Sequence, residues 1–324
     1  MEPQTFSYTA ETGSRIVTCP VPWRRKALMQ LAAAQTAQSD ADVAAIEQLL
    51  EREDVDWRGL LITPDESEPN GAVWVEVLPG KEANLWLPQP GCSNAPDLLS
   101  AAIYWARGQG IRLVKTVLEV GEHSTAALLT ANGFPAVVCL HYLSAPAQAE
   151  ENSPVAGSRA TFTHVSEITF EHFAALFERV EEGSKDCPEL QGTFTAQEAL
   201  MGFQRQDAHA PAQWYLVRCE GEDAGVLLLA PHPEAGNWEL MYMGLVPAWR
   251  GRGLGRQVVN EALRRAAKAG VDEVLLAVDE RNTPARQLYE QAGFKVQASC
   301  VVHAWIDASA TAANPSPGGA GLLP

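Results

Sequence analysis

The sequence lacks the features that mark a membrane-spanning, nucleic-acid-binding or disulfide-stabilised protein. No apolar run approaches 18 residues, so we expect no membrane partner. Its 24 Lys and Arg against 40 Asp and Glu give a net charge of −16, which argues against nucleic acid as a partner. The six cysteines form no CxxC pair and no cluster with histidine, so we expect neither a metal nor a disulfide framework. We therefore expect a cytoplasmic protein, either a monomer or a homodimer.

The few basic residues are concentrated in one segment, because six of the 24 lie between Arg250 and Lys268. An apolar run leads into this segment, which begins with a loop rich in glycine and arginine and continues as an amphipathic helical pattern. The glycines between them let the backbone approach a ligand closely, and a helix start offers unpaired N–H groups to an anion. The sequence therefore predicts a pyrophosphate cradle at a strand-to-helix junction, formed by Gly251, Gly253 and Gly255 with Arg250, Arg252 and Arg256.

The spacing of the glycines narrows the class of phosphate ligand. A P-loop needs Lys followed by Ser or Thr after its last glycine, whereas Arg256-Gln257 stands here. A dinucleotide-binding fingerprint needs GxGxxG directly after the strand, whereas the chain has GxGxG, separated from the strand by Pro247 to Arg250. The dinucleotide alternative, with Asp279 as its ribose-binding acid, is therefore the weaker one.

Two motifs resemble those of the Gcn5-related N-acetyltransferase (GNAT) family. The loop from Arg250 to Gly255 fits Arg/Gln-x-x-Gly-x-Gly/Ala, and Leu-Val-Pro precedes it where the family commonly has Val-x-Pro. Residues 282–294 resemble the second signature, N-x-x-A-x-x-L-Y-E-x-x-G-F. The motifs occur in the right order, with 26 residues from Gly253 to Asp279. The resemblance implies transfer of an acetyl group from acetyl-coenzyme A to the primary amine of a small-molecule or peptide acceptor.

The resemblance also implies where acetyl-coenzyme A binds. Backbone N–H groups from about Arg252 to Arg256 would hold the pyrophosphate, while the amides of Leu245 and Val246 would pair with the pantetheine arm and polarise the thioester carbonyl. Asn282 would contact the cofactor arm, although it could instead cap a helix. For the arginines, the alternative is a solvated helix start. The expected set is Leu245, Val246, Arg250, Gly251, Arg252, Gly253, Leu254, Gly255, Arg256 and Asn282.

Tyr289 stands where the family places the tyrosine that protonates the departing sulfur. A phenol with a pKa of about 10 is a suitable acid toward a thiolate. The alternative is a packing role, because Ala285, Leu288 and Ala292 make this an apolar helix face.

Glu239 lies eleven residues before Arg250 in an apolar strand, where histone-acetylating members carry a glutamate base. Apolar surroundings would raise its pKa toward the working range. The alternatives are deprotonation through a water chain, or a Glu239 that only caps the sheet edge. Tyr242 and His303 are weaker candidates for the base.

The segment from 181 to 192 corresponds to the part of the fold that lines the acceptor site, and it is unusually acidic. Glu182, Asp186 and Glu189 are the residues expected to hold an ammonium group. An exposed polar loop is the alternative for each of them. The overall negative charge is compatible with a cationic acceptor.

The second half of the sequence predicts strand, two helices, three strands, helix, strand, helix and strand, and the first half repeats it at an offset of 160. Gly110 then aligns with Gly270, and Gly133-Phe134 with Gly293-Phe294. We expect an α/β fold of two tandem GNAT-like domains, each a mixed, mostly antiparallel sheet flanked by helices. The expected boundaries are 1–144, a linker at 145–159, a catalytic domain at 160–307 and a disordered tail at 308–324. A coincidental likeness of two α/β domains is the alternative.

The first copy has lost the residues expected to bind coenzyme A. Its loop from Pro90 to Pro96 has two prolines without N–H groups and no arginine, and Glu122 and Leu129 replace the asparagine and tyrosine. We therefore expect a degenerate N-terminal domain. The two-domain plan resembles that of mycothiol synthase, so a mycothiol synthase-like acetyltransferase is an enzymatic alternative. An alternative of a different class is a non-catalytic acyl-coenzyme A-binding module.

Overall fold

The computed structural model describes residues 6–35, 40–66, 68–148, 160–206 and 211–307. These residues form two compact units, one comprising the chain up to Val137 and from Val302 onward, the other Val138–Val301. Among the described helices, none is both long and apolar enough to cross a bilayer. The predicted tail at 308–324 and most of the predicted linker, 149–159, lie outside the described residues.

The first unit contains an antiparallel sheet in which one pair, β5 and β6, is parallel. Alternate residues of β3 and β4 face two separate cores, so that Leu61 and Val73 pack with α3 while Ile62 and Trp74 pack with α1. The elements are β1 (Ser7–Thr9), β2 (Arg15–Thr18), α1 (Arg24–Gln35), α2 (Asp40–Glu51), β3 (Leu60–Pro64), β4 (Pro69–Leu78), β5 (Glu82–Trp86), α3 (Ala95–Gly108), β6 (Leu113–Glu119) and α4 (His123–Ala131).

From the strand Thr161–His164 onward, the second unit has the predicted order of elements. Within it the sheet runs from the N-terminal part of β13 through β7, β12, β11, β10 and β9 to β8, and β11 with β12 is a parallel pair. The elements are β7 (Ala136–Pro146), β8 (Thr161–His164), α5 (Phe170–Glu181), α6 (Ala196–Gln206), β9 (Gln213–Cys219), β10 (Glu222–His232), β11 (Asn237–Leu245), α7 (Leu254–Lys268), β12 (Glu273–Asp279), α8 (Thr283–Gln291) and β13 (Lys295–Ile306).

The offset of 160 holds for whole elements. It carries the bounds of β6 onto those of β12, and the bounds of α4 onto those of α8. The two long C-terminal strands behave differently, because residues 138–146 of β7 belong to the second unit and residues 302–306 of β13 to the first. Pairing satisfies the same backbone groups whichever copy supplies a strand, so sequence similarity alone does not reveal this exchange. β7 also includes residues 145 and 146, which the sequence assigned to the linker.

Candidate active site

A gap opens in the sheet along the second half of β11. Leu229 pairs with Leu240 but Leu228 pairs with Tyr242, so Met241 is an extra residue and forms a β-bulge. On its other edge, β11 pairs with β12 only from Asn237 to Glu239. The remaining residues of β11 therefore have one edge without a strand partner among the described pairings.

Two amides face this gap. The N–H of Val246 donates to the carbonyl oxygen of Ala224 at 2.9 Å. Because successive amides of a strand point to opposite edges, the N–H groups of Leu245 and Met243 are directed toward the gap. The amide of Val246 is thus not free for the role predicted for it, and Met243 is the residue that the sequence analysis missed. Strand alternation alone could have excluded the consecutive pair.

The glycine loop leads from β11 into an uncapped helix start. Gly251 and Gly253 have φ values of +71° and +80°, in the left-handed region, and a Cβ on Gly251 would meet no atom within 4 Å. Gly255 has a packing role, because a Cβ there would lie 3.1 Å from Cδ2 of Leu288. No side chain caps α7 at Gly253, so its first amides have no partner within the helix. This geometry suits an anion.

The three loop arginines have different surroundings. Arg250 donates from Nε to the carbonyl of Leu245 at 2.8 Å, and from its two terminal nitrogens to the carbonyls of Val180 at 2.7 Å and Gly183 at 3.2 Å. Arg252 lies over the ring of Trp249, 5.1 Å from its centroid, and Arg256 is exposed. Arg250 therefore joins the end of β11 to the end of α5, while the predicted phosphate contacts of all three stay predictions.

Replacing Arg250 by Met should destabilise the protein by about 2 kcal/mol, because the carbonyls of Val180 and Leu245, which are buried or half-buried, and the exposed carbonyl of Gly183 lose a charged donor. For a unit of this size the expected change is a fall in Tm of roughly 4–8 °C, measured by differential scanning calorimetry. Arg252→Met is the matched control, since among the described residues that side chain contacts only the Trp249 ring, and it should change Tm by less than about 2 °C. Equal losses in the two variants would contradict the joining role of Arg250.

The acidic segment is anchored to the end of β12 through the buried Asp279. The Cys187 N–H donates to Oδ2 of Asp279 at 3.1 Å, and the Asp279 N–H donates to Oδ1 of Asp186 at 3.2 Å. Arg281 donates to Asp279 Oδ2 and to Glu189 Oε2, each at 2.7 Å. Burial alone would raise the pKa of Asp279, but the bonds from Arg281 outweigh it and lower that pKa. The segment therefore has a fixed position beside the gap.

The three predicted ammonium-binding carboxylates differ in what they can do. Glu189 is paired with Arg281, which lowers its pKa and neutralises its charge, so the structure gives it an anchoring role instead. Glu182 is exposed. Burial raises the pKa of Asp186, whose charge acts on the hydroxyls of Tyr242 and Tyr289. Binding of an ammonium group by Glu182 and Asp186 stays a prediction.

Tyr289 is buried on α8, with only 7 % of its surface exposed, and its ring centroid is 5.7 Å from that of Phe294. Burial raises its pKa, and the charge of Asp186 adds to the effect. The phenol is therefore protonated at neutral pH, which is the form that an acid requires. Its catalytic role stays a prediction, and the packing alternative is compatible with the same contacts.

Glu239 lies on the sheet face that carries α5. It pairs with Ala230, while Tyr242 pairs with Leu228 two residues away, so both side chains share one face. The Tyr242 ring centroid lies 4.7 Å from that of Phe177 on α5. The Glu239 side chain is 42 % exposed, and its Oε2 lies 3.2 Å from His232 Nε2. It remains accessible to an acceptor, and its role as base stays a prediction.

A second carboxylate, Glu181, was missed by the sequence analysis. It ends α5, and burial raises its pKa to about 7, with a further contribution from Glu178. Burial raises the pKa of Tyr242, and the charge of Glu181 adds to the effect. The Tyr242 hydroxyl lies beside Gly244, the residue between Met243 and Leu245, because a Cβ on Gly244 would be 3.5 Å from it. Helical spacing contained the signal, because Glu181 follows the buried Phe177 by four residues.

Asn282 caps α8, the alternative considered for it. Its side chain accepts a hydrogen bond from the Ala285 N–H at 3.4 Å, and a further bond to Asp186 lowers the pKa of that carboxyl. The helix begins at Thr283, directly after this cap. A contact of Asn282 with a cofactor stays a prediction.

Among its described residues, the first unit has no gap of that length. β5 pairs with β6 from Glu82 to Asn84 and ends two residues later, whereas β11 continues for six residues beyond its last pair. The register of β4 with β5 is regular from Trp74 to Leu78, so no bulge is present in that pair. These differences, like the two prolines of its loop, favour the predicted loss of coenzyme A binding.

Comparison with known proteins identifies the domain that carries these features. Residues 177–294 match the model of the Acetyltransferase (GNAT) family, a range that contains the gap, the glycine loop and Tyr289. The second unit therefore carries a GNAT domain, and the resemblance seen in the two motifs is confirmed.

Two relatives and one solved structure are similar to this chain. The chain is 35% identical to the mycothiol acetyltransferase of Thermobispora bispora over 34% of this chain and 38% of that one. It is 29% identical to that of Rhodococcus erythropolis over 60% and 59%. The chain thus spans less than two thirds of either relative. A GCN5-related N-acetyltransferase from Sphaerobacter thermophilus superposes with a TM-score of 0.56 at 21% identity, covering 93% of this chain and 96% of that one. The predicted fold of two tandem GNAT-like domains is confirmed.

Proposed function

We propose that the second unit is an acetyl-coenzyme A-dependent N-acetyltransferase acting on the primary amine of a small-molecule or peptide acceptor. One observation carries this proposal: the amide-lined gap beside β11 continues directly into the uncapped glycine loop of α7. A thioester joined to a pyrophosphate by a long amide-bearing arm has the matching sequence of groups. The GNAT match and the relatives named as acetyltransferases support the same reaction.

The residues that would hold the donor follow from this arrangement. The loop and the first amides of α7 would hold the pyrophosphate, with Arg252 and Arg256 available for charge-assisted bonds. The Leu245 amide would pair with the pantetheine arm. The Met243 amide, two residues earlier on the same edge, would polarise the thioester carbonyl as negative charge develops on its oxygen. Acetyl-coenzyme A supplies the activated acetyl group.

Proton transfer completes the reaction. The acceptor nitrogen bonds to the acetyl carbon while the carbon–sulfur bond breaks, so one proton must leave the nitrogen and one must reach the sulfur. Glu239 is proposed to accept the first, with Glu181 as the second carboxylate at the site. Tyr289 is proposed to donate the second, since its phenol is held protonated.

A mycothiol acetyltransferase-like activity is the second candidate, favoured by the names of both relatives. The non-catalytic acyl-coenzyme A-binding module is the alternative of another class. In either case the proposed catalytic domain is 160–307, and the proposed location is the cytoplasm. The first domain is proposed not to bind coenzyme A.

Titration with acetyl-coenzyme A by calorimetry tests the proposal. We expect one site, and Gly253→Glu should weaken it at least thirtyfold because a carboxylate would enter the anion cradle. Gly91→Glu is the matched control, since Gly91 has a φ of +81°, close to the +80° of Gly253, and a Cβ on Gly91 would meet no atom within 4 Å. It imposes the same backbone strain in the first unit and should leave the affinity unchanged.

Each other result has a definite meaning. Two sites would show that the first unit also binds the donor, and absence of binding would overturn the transferase. Binding without acetylation of any amine in a broad panel would favour the non-catalytic module.

A further inference from the structure

An exposed tyrosine from β7 stands on the same sheet face as Glu239. Tyr142 is 43% exposed and pairs with Ala277 of β12, while Leu275 of β12 pairs with Glu239 of β11. Paired residues, and residues two apart on a strand, share a face. Tyr142, Ala277 and Glu239 therefore lie on one face, on three adjacent strands of the second unit.

Tyr142 also lies at the level where the gap opens. β11 and β12 are parallel, so Ala277, two residues after Leu275, is level with Met241, two residues after Glu239. Ala277 of β12 lies on the strand between those of Tyr142 and Glu239, and it is small and exposed. Two strand spacings and an offset of two residues along the strands separate the Cα atoms of Tyr142 and Glu239 by roughly 12 Å, enough for an alkyl or sugar chain to lie between their side chains.

We infer that Tyr142 and Glu239 are the two walls of the acceptor site, and that the acceptor they select is cationic. This inference rests on the proposed transferase function. An aromatic ring attracts a cation over its face, and a carboxylate on the opposite wall adds charge attraction. The net charge of −16 favours the approach of such a molecule. Tyr142 is thereby a specificity-determining residue, supplied by a strand from the first sequence copy.

Two titratable neighbours act on the tyrosine. Its phenol interacts with the thiol of Cys300 on β13. Burial raises the pKa of Tyr142, and both this interaction and the charge of Glu239 contribute, which places that carboxylate within electrostatic reach of the phenol. The aligned residue at the offset of 160 is Val302, which offers no aromatic ring.

A conjugate of coenzyme A tests the inference without knowledge of the natural acceptor. Its sulfur is joined through a carbonylmethyl group to one nitrogen of 1,4-diaminobutane, which leaves a free ammonium on the arm. By calorimetry, Tyr142→Ala should bind the conjugate about tenfold more weakly than the wild type and bind coenzyme A equally well. Tyr142→Phe should keep the affinity, because the ring and not the hydroxyl attracts the cation.

Three controls separate the outcomes. Tyr104→Ala removes another exposed tyrosine, in the first unit, and should change neither affinity. A conjugate with a hydroxyl in place of the free ammonium should bind the wild type more weakly, and equal binding would overturn the selection for a cation. Unchanged binding of the ammonium conjugate by Tyr142→Ala would overturn the role of Tyr142. Failure of the wild type to bind coenzyme A would instead overturn the proposed function itself.

Discussion

The variant Tyr289→Phe is expected to lose about 10²- to 10³-fold in kcat while binding acetyl-coenzyme A as tightly as the wild type. The substitution keeps the ring that packs against Phe294 and removes only the phenolic proton. A thiolate leaving without protonation is a poor leaving group, and general acid catalysis is typically worth 10²- to 10⁴-fold. Because burial and Asp186 keep this phenol protonated, the loss should be nearly independent of pH from 6 to 9.

Release of the coenzyme A thiol, followed under single-turnover conditions, measures this loss directly. Tyr215→Phe is the matched control, because Tyr215 is also buried in the second unit and its hydroxyl donates to Gln213 at 2.6 Å. That variant should lower Tm but leave kcat within about twofold. If Tyr289→Phe behaves in the same way, Tyr289 is a packing residue and another acid must serve the sulfur.

Local pattern predicted most of the fold. The order of elements in the second unit, and the offset that relates β6 to β12, follow from apolar periodicity and glycine spacing, which depend on neighbouring residues. The glycine loop is predictable for the same reason, since left-handed backbone at Gly251 and Gly253 strongly favours that residue type.

What the sequence did not reveal depends on contacts between distant residues. Arg250 bonds to the carbonyls of Gly183 and Val180, which lie 67 and 70 residues earlier. Residues 138–146 and 302–306 each belong to the unit formed mainly by the other copy. Glu189 pairs with Arg281 across 92 residues. The sequence analysis names Arg250 and Glu189 as candidates, but the partners that decide their roles lie in other parts of the chain.

The two carboxylates near the gap should separate in their effects on catalysis. We expect Glu239→Gln to lower kcat/KM about 10²-fold at pH 8, because the exposed wild-type carboxylate is accessible to the acceptor nitrogen. Glu181→Gln should keep kcat/KM within about threefold and remove any change near pH 7, since Glu181 acts only through its charge on Tyr242. The reverse pattern in the pH profiles of kcat/KM would make Glu181 the base.

A stability measurement checks the titration of Glu181 independently of activity. Its pKa is raised from 4.5 to about 7 in the folded protein, so the folded state binds its proton more tightly than the unfolded state does. Stability from this group is therefore complete below about pH 4.5 and falls as pH rises through about 7. Glu181→Gln, which cannot ionise beside Glu178 and Tyr242, should raise Tm relative to the wild type by a few degrees at pH 8 and by less at pH 5. An equal difference at both pH values would show that the pKa of Glu181 is not raised in the folded protein. Glu181 would then make no contribution near pH 7 to the pH dependence of the reaction.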